Sequence, residues 1–450
     1  MITVRRSAAA LVVSAVLSLA LAPGAVADEA TARALPPSAA PSSAAPASAA
    51  PSSAAPSSAA VLPPGLYGTK DPTRDGVWRQ SLAMLGQFTS HFRPANEAIR
   101  WLKAQQCANG AFPTYRADPT APCDVTTALD VDATAAAVQA LSTLGGQRAP
   151  MDLAMNWLRF VQNEDGGWGP SPGTRSDAKS TSLVIGALTV AGVRPSSVLS
   201  VHYRNPYDAL VGLSIPCHAG TGAGAFAFRL DASGKPAGAR ADATAMAVLG
   251  GIGKRMVTSP VPPGPAPSCV TTADPAPERA ARNGAAYLAG ALAATGHLDR
   301  LPPPGTAGTG ALPRPDPGST ANAIVALTAG GYGDQASGAL EWLKKNSAAW
   351  AQEAGPAAYA QLIFVAHTTD TDPGDFGGID LVERLNATGP TPKAVPLTPA
   401  ELAAASAAKK SQAVAGAEDS LAVAWIIGVG LIAVTGIGLL LRGRRAGRPV

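Results

Sequence analysis

"WLRFVQNEDGGW", residues 157–168, closes one amphipathic run and gives way within ten residues to a second, "AKSTSLVIGALTVAGV" (178–193). Glycines end helices and free the chain to turn, so the fold depends on whether this stop-and-restart recurs. It does. Four segments align on a threonine: "DATAAAVQALSTLGG" at Thr134, "AKSTSLVIGALTVAGV" at Thr181, "DATAMAVLGGIG" at Thr244 and "GSTANAIVALTAGG" at Thr320. Seven residues on stand Leu141, Leu188, Gly251 and Leu327, and each run includes or ends in glycine. A Ser/Thr/Asp start and a Gly stop are helix signals. Runs this rich in alanine and apolar nearly all round belong to helices buried on every side. Weaker copies stand at "WRQSLAMLGQF" (78–88) and "PAAYAQLIFVA" (356–366).

Between them lie runs with one apolar stripe and one charged face: "ANEAIRWLKAQQ" (95–106), "MDLAMNWLRFVQ" (151–162), "NPYDALVGL" (205–213), "RNGAAYLAGAL" (282–292), "GALEWLKKN" (338–346) and "GIDLVERLN" (378–386). Glycine–aromatic turns accompany several of them, as "CANGAF", "NEDGGW", "GTGAGAF" and "DFGG". Six buried helices thus alternate with six amphipathic ones. An array that buries alternate helices completely has to close, with the buried helices inside and the amphipathic ones outside.

On these residues the chain resembles the α/α-toroid superfamily, and "WLRFVQNEDGGW" is similar to the Gln–Trp (prenyltransferase/squalene-oxidase) repeat of squalene and terpene cyclases. Trp157, Leu158, Gln162, Gly166 and Trp168 carry the match; "WLKAQQCANGAF" repeats it with Phe112 for the Trp, and "WLKKNSAAW" keeps only the aromatics. The resemblance implies an all-α fold, an (α/α)6 toroid over residues 66–389. It says little about activity, because the superfamily holds cyclases, prenyltransferase subunits, complement thioester domains and cobalamin carriers. It also implies that the turn braces the outer helices. The Gln162 amide is expected to satisfy an orphan helix-end group, with the Trp168 indole packed over it.

The ends read differently. Arg5 and Arg6 precede an apolar run (8–21) and the small residues "AVA" (25–27), the layout of a signal peptide over 1–27. Residues 421–441 carry no charge and are long enough to cross a bilayer as a helix. Arg442, Arg444, Arg445 and Arg448 follow, placing that tail on the cytoplasmic side and the rest of the chain outside. A Pro/Ala/Ser repeat (28–65) and a second low-complexity stretch (390–420) read as disordered tethers. Of 35 basic residues, the six arginines named here leave 29 against 31 acids in the exported part. A formal charge of −2 argues against a nucleic-acid partner.

Four cysteines in an oxidising compartment point to disulfides. Of three pairings, Cys107–Cys123 with Cys217–Cys269 closes the shortest loops and is the expected one. Candidate chemistry centres on "DVDATA" (130–135), which resembles the Asp-x-Asp-Asp acid motif of class II terpene cyclases. Asp132 falls on the proton-donating position, while Ala133 replaces the next carboxylate. "DAT" recurs at Asp242, and helix capping explains both copies. "GPSPG" (169–173) has the spacing of a nucleophile elbow without its strand–turn–helix context. "DTDPGDFGGID" (370–380) lacks EF-hand spacing and leaves only a weak surface cation site. Five scattered histidines make no zinc motif, and "GGIGKR" (250–255) is no phosphate loop, so no metal or cofactor is expected. The expected function is a membrane-anchored surface module for a small ligand, as in cobalamin carriers, or for a surface protein. Asp130, Asp132, Trp168, Asp177 and Asp242 are its candidate contacts. The alternative is a cyclase or mutase using Asp132 as acid.

Overall fold

The computed structural model describes residues 63–271, 276–300 and 313–396. The signal-peptide, tether and 421–441 readings concern residues outside these, apart from the inner ends of the two tethers. No helix among the described residues is long and apolar enough to cross a membrane.

The domain is all-α. Its helices are α1 (Gly76–Thr89), α2 (Asn96–Ala104), α3 (Val131–Ser142), α4 (Arg148–Phe160), α5 (Ala178–Val190), α6 (Pro206–Gly212) and α7 (Ala241–Gly251). They continue as α8 (Pro277–Thr295), α9 (Pro317–Ala329), α10 (Ser337–Asn346), α11 (Ala348–Ala354), α12 (Pro356–Thr368) and α13 (Leu381–Asn386). Sheet is confined to two-residue pairs: β1 (Phe92–Arg93) with β6 (Lys393–Ala394), β2 (Phe112–Pro113) with β3 (Leu129–Asp130), and β4 (Asp299–Arg300) with β5 (Arg314–Pro315). All twelve expected helices are present. The short α11 was not expected.

The six alanine-rich helices are the buried ones. α1 packs on α3, α3 on α5, α5 on α7, α7 on α9, α9 on α12, and α12 again on α1. Small side chains make this possible. In α3, Ala133, Ala135, Ala136, Ala137 and Ala140 are all buried. A Cβ added to Gly86 of α1 would lie 3.0 Å from that of Ala360 in α12, so the two backbones meet closely there. The amphipathic helices bury only one stripe each: α4 covers Ala154, Met155, Trp157 and Leu158 and leaves Phe160 exposed.

The repeated threonine does not start its helix but sits one turn inside, where it holds the preceding glycine–aromatic turn. Thr134 Oγ1 accepts from Phe112 N at 2.9 Å and Thr181 Oγ1 from Trp168 N at 3.1 Å. Thr244 Oγ1 accepts from Phe226 N and Thr320 Oγ1 from Leu298 N, each at 2.9 Å. In the first repeat Gln80 replaces the threonine and accepts from Tyr67 N at 2.9 Å. The turn Gly65–Leu66–Tyr67 is thus the first of the series, and the domain begins inside the expected tether. Replacing Thr181 with the isosteric valine orphans the buried Trp168 N–H. We expect a loss of about 1–3 kcal/mol in denaturant unfolding, largely restored by Thr181→Ser.

The Gln–Trp turn works with its roles exchanged from expectation. Trp168 Nε1 donates to Leu158 O at 2.7 Å, a carbonyl in the last turn of α4 that the helix itself cannot satisfy. Gln162 Nε2 instead donates to the turn carbonyl of Gly166 at 2.8 Å. The equivalent Gln106 donates to Gly110 O at 3.0 Å and to Pro150 O of α4 at 2.8 Å, joining consecutive outer helices. Gly166 has φ 89°, and a Cβ there would collide with the backbone carbonyl of Asn205, the residue whose side chain caps the next outer helix. Only glycine meets both demands.

Both expected disulfides are formed, Cys107–Cys123 and Cys217–Cys269, and no described cysteine is free.

Candidate functional site

The starts of the buried helices α1, α3, α5, α7 and α9 carry the residues that matter here. Trp78 of α1, Lys179 of α5, Asp242 of α7 and Ser319 of α9 stand in the first turns of their helices and line one cavity of about 210 Å³. The other ends of α1, α3 and α5 meet at a separate recess lined by Phe88, Thr89, Ser142, Thr143 and Val190. The buried helices therefore run parallel, and their N-terminal, positively polarised ends converge on the mouth of the first cavity.

Below the mouth the walls are apolar: Leu82, Met246, Leu249, Met256, Val325 and Phe364. Two amides interrupt them, with Gln361 Nε2 donating to Asn322 Oδ1 at 3.2 Å.

A charge cluster backs the mouth. Lys179 Nζ lies 2.9 Å from Asp132 Oδ2 and 4.9 Å above the ring centroid of Trp78. Asp132 is buried, and its Oδ1 makes no hydrogen bond. The capping residue of α3 is Asp130, which accepts from Ala133 N at 2.6 Å. The capping expectation for Asp132 is corrected accordingly: two residues into the helix, its carboxylate lies past the N–H groups a cap serves and reaches across to α5. Asp242 is no cap either, since Arg240 holds it at 2.6 and 2.9 Å. Asp177 caps α5 through Ser180 N at 2.8 Å.

Burial raises the pKa of Asp130 and Asp177 to about 6 each, with the neighbouring Asp132 carboxylate adding to it. For Lys179, burial acts to lower the pKa, but the carboxylates of Asp132, Asp130 and Asp177 outweigh it and hold the ammonium above its ordinary value. Lys179 stays protonated.

Two expected results follow from this cluster. Carboxyls with raised pKa bind protons in the folded state that the unfolded chain, with ordinary pKa values, releases between about pH 4 and 6. Asp130 and Asp177 therefore contribute stability that is full below about pH 4 and is lost as the pH rises from there through 6. Relative to Asp130→Asn with Asp177→Asn, the wild type should gain about 1–3 kcal/mol from pH 7 to pH 5 in thermal and denaturant unfolding. Asp177→Asn, which still caps, should remove about half of that slope. Lys179→Met should cost about 1–3 kcal/mol, below the range for a fully buried pair because the lysine is half-exposed. Adding Asp132→Asn to Lys179→Met should recover most of the loss, read from the same unfolding curves.

Of the residues singled out in the sequence, Asp242 lines the cavity, while Asp130, Asp132 and Asp177 stand around Lys179. Trp168 is buried in its turn and does not line the cavity. Lys179, Trp78 and the amides of Asn322 and Gln361 were missed. Lys179 had a signal, as the one charge inside "AKSTSLVIGALTV". Of the acids of 370–380, Asp372 accepts from Gly374 N, Asp375 from Gly378 N, and Asp380 caps α13. Among the described residues, no group of three or more His, Cys, Asp or Glu is placed to hold a metal ion.

No family model and no curated protein matches the chain. Among solved structures, the chain is similar to a crystal structure of a protein from Actinoplanes. The identity is 17%, over 69% of this chain and 79% of that one, with a TM-score of 0.41.

Proposed function

We propose that the domain is an (α/α)6 toroid that binds a small, neutral, largely apolar ligand in its axial cavity. The observation that carries this reading is an apolar chamber whose polar mouth is already charge-matched from within. Lys179 occupies both the face of Trp78 and the Asp132 carboxylate, the two features that would attract a cationic ligand. The cations beside the mouth, Lys179 and Arg240, are each held by a carboxylate, Asp132 and Asp242, and so are not free for an anionic ligand. What remains for a ligand is apolar wall plus a few hydrogen-bonding groups, the usual make-up of a small-molecule site. The unbroken succession of helix contacts from α1 through α12 and back supports the toroid, as do the Gln–Trp turns.

A cyclase acid would have to present its proton to the chamber. Asp132 is instead bonded to an ammonium that stands between it and the cavity, which favours binding over proton-initiated chemistry.

The signal-peptide and 421–441 readings place the module outside the cell on a single membrane anchor. β6 pairs with β1, directly after the C-terminal end of α1. The last described residues thus lie on the side of the domain away from the mouth.

The test is fluorescence of the neutral dye N-phenyl-1-naphthylamine added to the full-length protein. Saturable enhancement is expected, and Met246→Trp, which fills the chamber, should abolish it. Absence of saturable enhancement, or undiminished enhancement with Met246→Trp, would refute the reading.

A further inference from the structure

The segment after α7 crosses the end of the chamber, with Arg255 exposed and Thr258 buried. Lys254 N donates to Leu249 O at 2.9 Å, so the chain turns back at the end of its own helix. Met256 N then donates to Oε1 of the buried Gln139 on α3 at 3.1 Å. Two residues later, Thr258 O accepts from Thr368 Oγ1 of α12 at 3.0 Å. The segment is thus pinned to α7, α3 and α12 in turn, and α3 and α12 are not neighbours among the buried helices. Its side chains face both ways from a bend: Met256 lines the chamber, while Arg255 and Val257 line the recess on the far side. The two cavities share no lining residue.

We infer that residues 254–258 are the floor of the chamber and that the Met256 side chain sets the length of ligand it accepts. This rests on the binding reading above and adds to it a direction of entry and a stop. A ligand enters and leaves past Lys179 and Asp242, and its apolar end comes to rest on the Met256 thioether. The unbranched, polarizable side chain suits a contact that must adapt to the end of a chain.

The experiment is displacement of N-phenyl-1-naphthylamine from the full-length protein by 1-alkanols of increasing length. These probes are neutral and apolar, with one hydroxyl for the mouth. Partition of the longer alcohols into detergent or lipid is common to all variants and cancels in the comparison. With the wild type, affinity should rise with each added methylene and then level off at a limiting length. Met256→Ala removes three heavy atoms and should move that limit up by about three methylenes; Met256→Phe should move it down. Met256→Leu, similar in volume, should leave it in place and shows that the floor tolerates substitution.

A wild-type limit that stays fixed in both Met256→Ala and Met256→Phe overturns the floor assignment while leaving the binding site intact. Steady gain with no limit in the wild type overturns it equally, since a chamber open at both ends imposes none. Failure of the wild type to bind the dye at all overturns both this inference and the reading beneath it.

Discussion

Trp168→Ala should lower the unfolding free energy by about 3–5 kcal/mol, the range for deleting a large buried aromatic. The indole is almost wholly buried. Its loss also leaves the Leu158 carbonyl at the end of α4 without the donor it now has at 2.7 Å. Trp168→Phe separates the two contributions, because it keeps most of the packing and removes only the N–H. It should cost about 1–3 kcal/mol beyond the small volume change, as expected for an orphaned buried polar group. Phe112 and Phe226 occupy the same place in neighbouring repeats, so phenylalanine is sterically acceptable there. Chemical denaturation of both variants provides the measurement. Equal losses for Phe and Ala would mean that the hydrogen bond, and not the packing, dominates.

Opening the Cys217–Cys269 bridge should have an effect of similar size. It closes a loop of 52 residues, against 16 for Cys107–Cys123. The chain-entropy argument assigns about 4 kcal/mol to the longer loop and about 3 kcal/mol to the shorter. The longer loop includes the chamber floor, so Cys217→Ser with Cys269→Ser should also loosen dye binding. Cys107→Ser with Cys123→Ser should lower the melting temperature without touching the cavity. Thermal unfolding and dye titration of the two double variants test this ordering.

The helices were readable because the repeat is written in small residues and glycine stops. A run such as "DATAAAVQALSTLGG" can only be a helix surrounded by others, and α3 is that helix. The disulfides were readable because loop length ranks the possible pairings. The site was only half readable. Aspartates at helix starts stand out, but which of them caps depends on where the helix begins to within one residue. That single residue separates Asp130, which caps, from Asp132, which reaches across to another helix. Lys179 looked like one polar residue in an apolar run, and only packing shows that three carboxylates and an indole surround it. The floor segment left no trace in the pattern. Irregular residues held by Gln139 and Thr368, which are distant in sequence, have neither periodicity nor propensity to reveal them.

The first turn and the last helix of the domain lie against each other. Gly68 N donates to Thr388 O at 2.8 Å, Gln87 Nε2 donates to Asn386 Oδ1 across 299 positions of chain, and the Tyr67 ring packs on Gly389. Such contacts are late events in a chain synthesised from its N-terminus. Open arrays of repeats can be completed one unit at a time, but here the flank of α1 has no cover until α12 arrives. Long-range closure of this kind slows folding. The domain therefore completes its fold only after almost its whole length has been synthesised. Until then the earlier helices present an alanine-lined face to whatever else is nearby, so a chain cut short before α12 is prone to self-association.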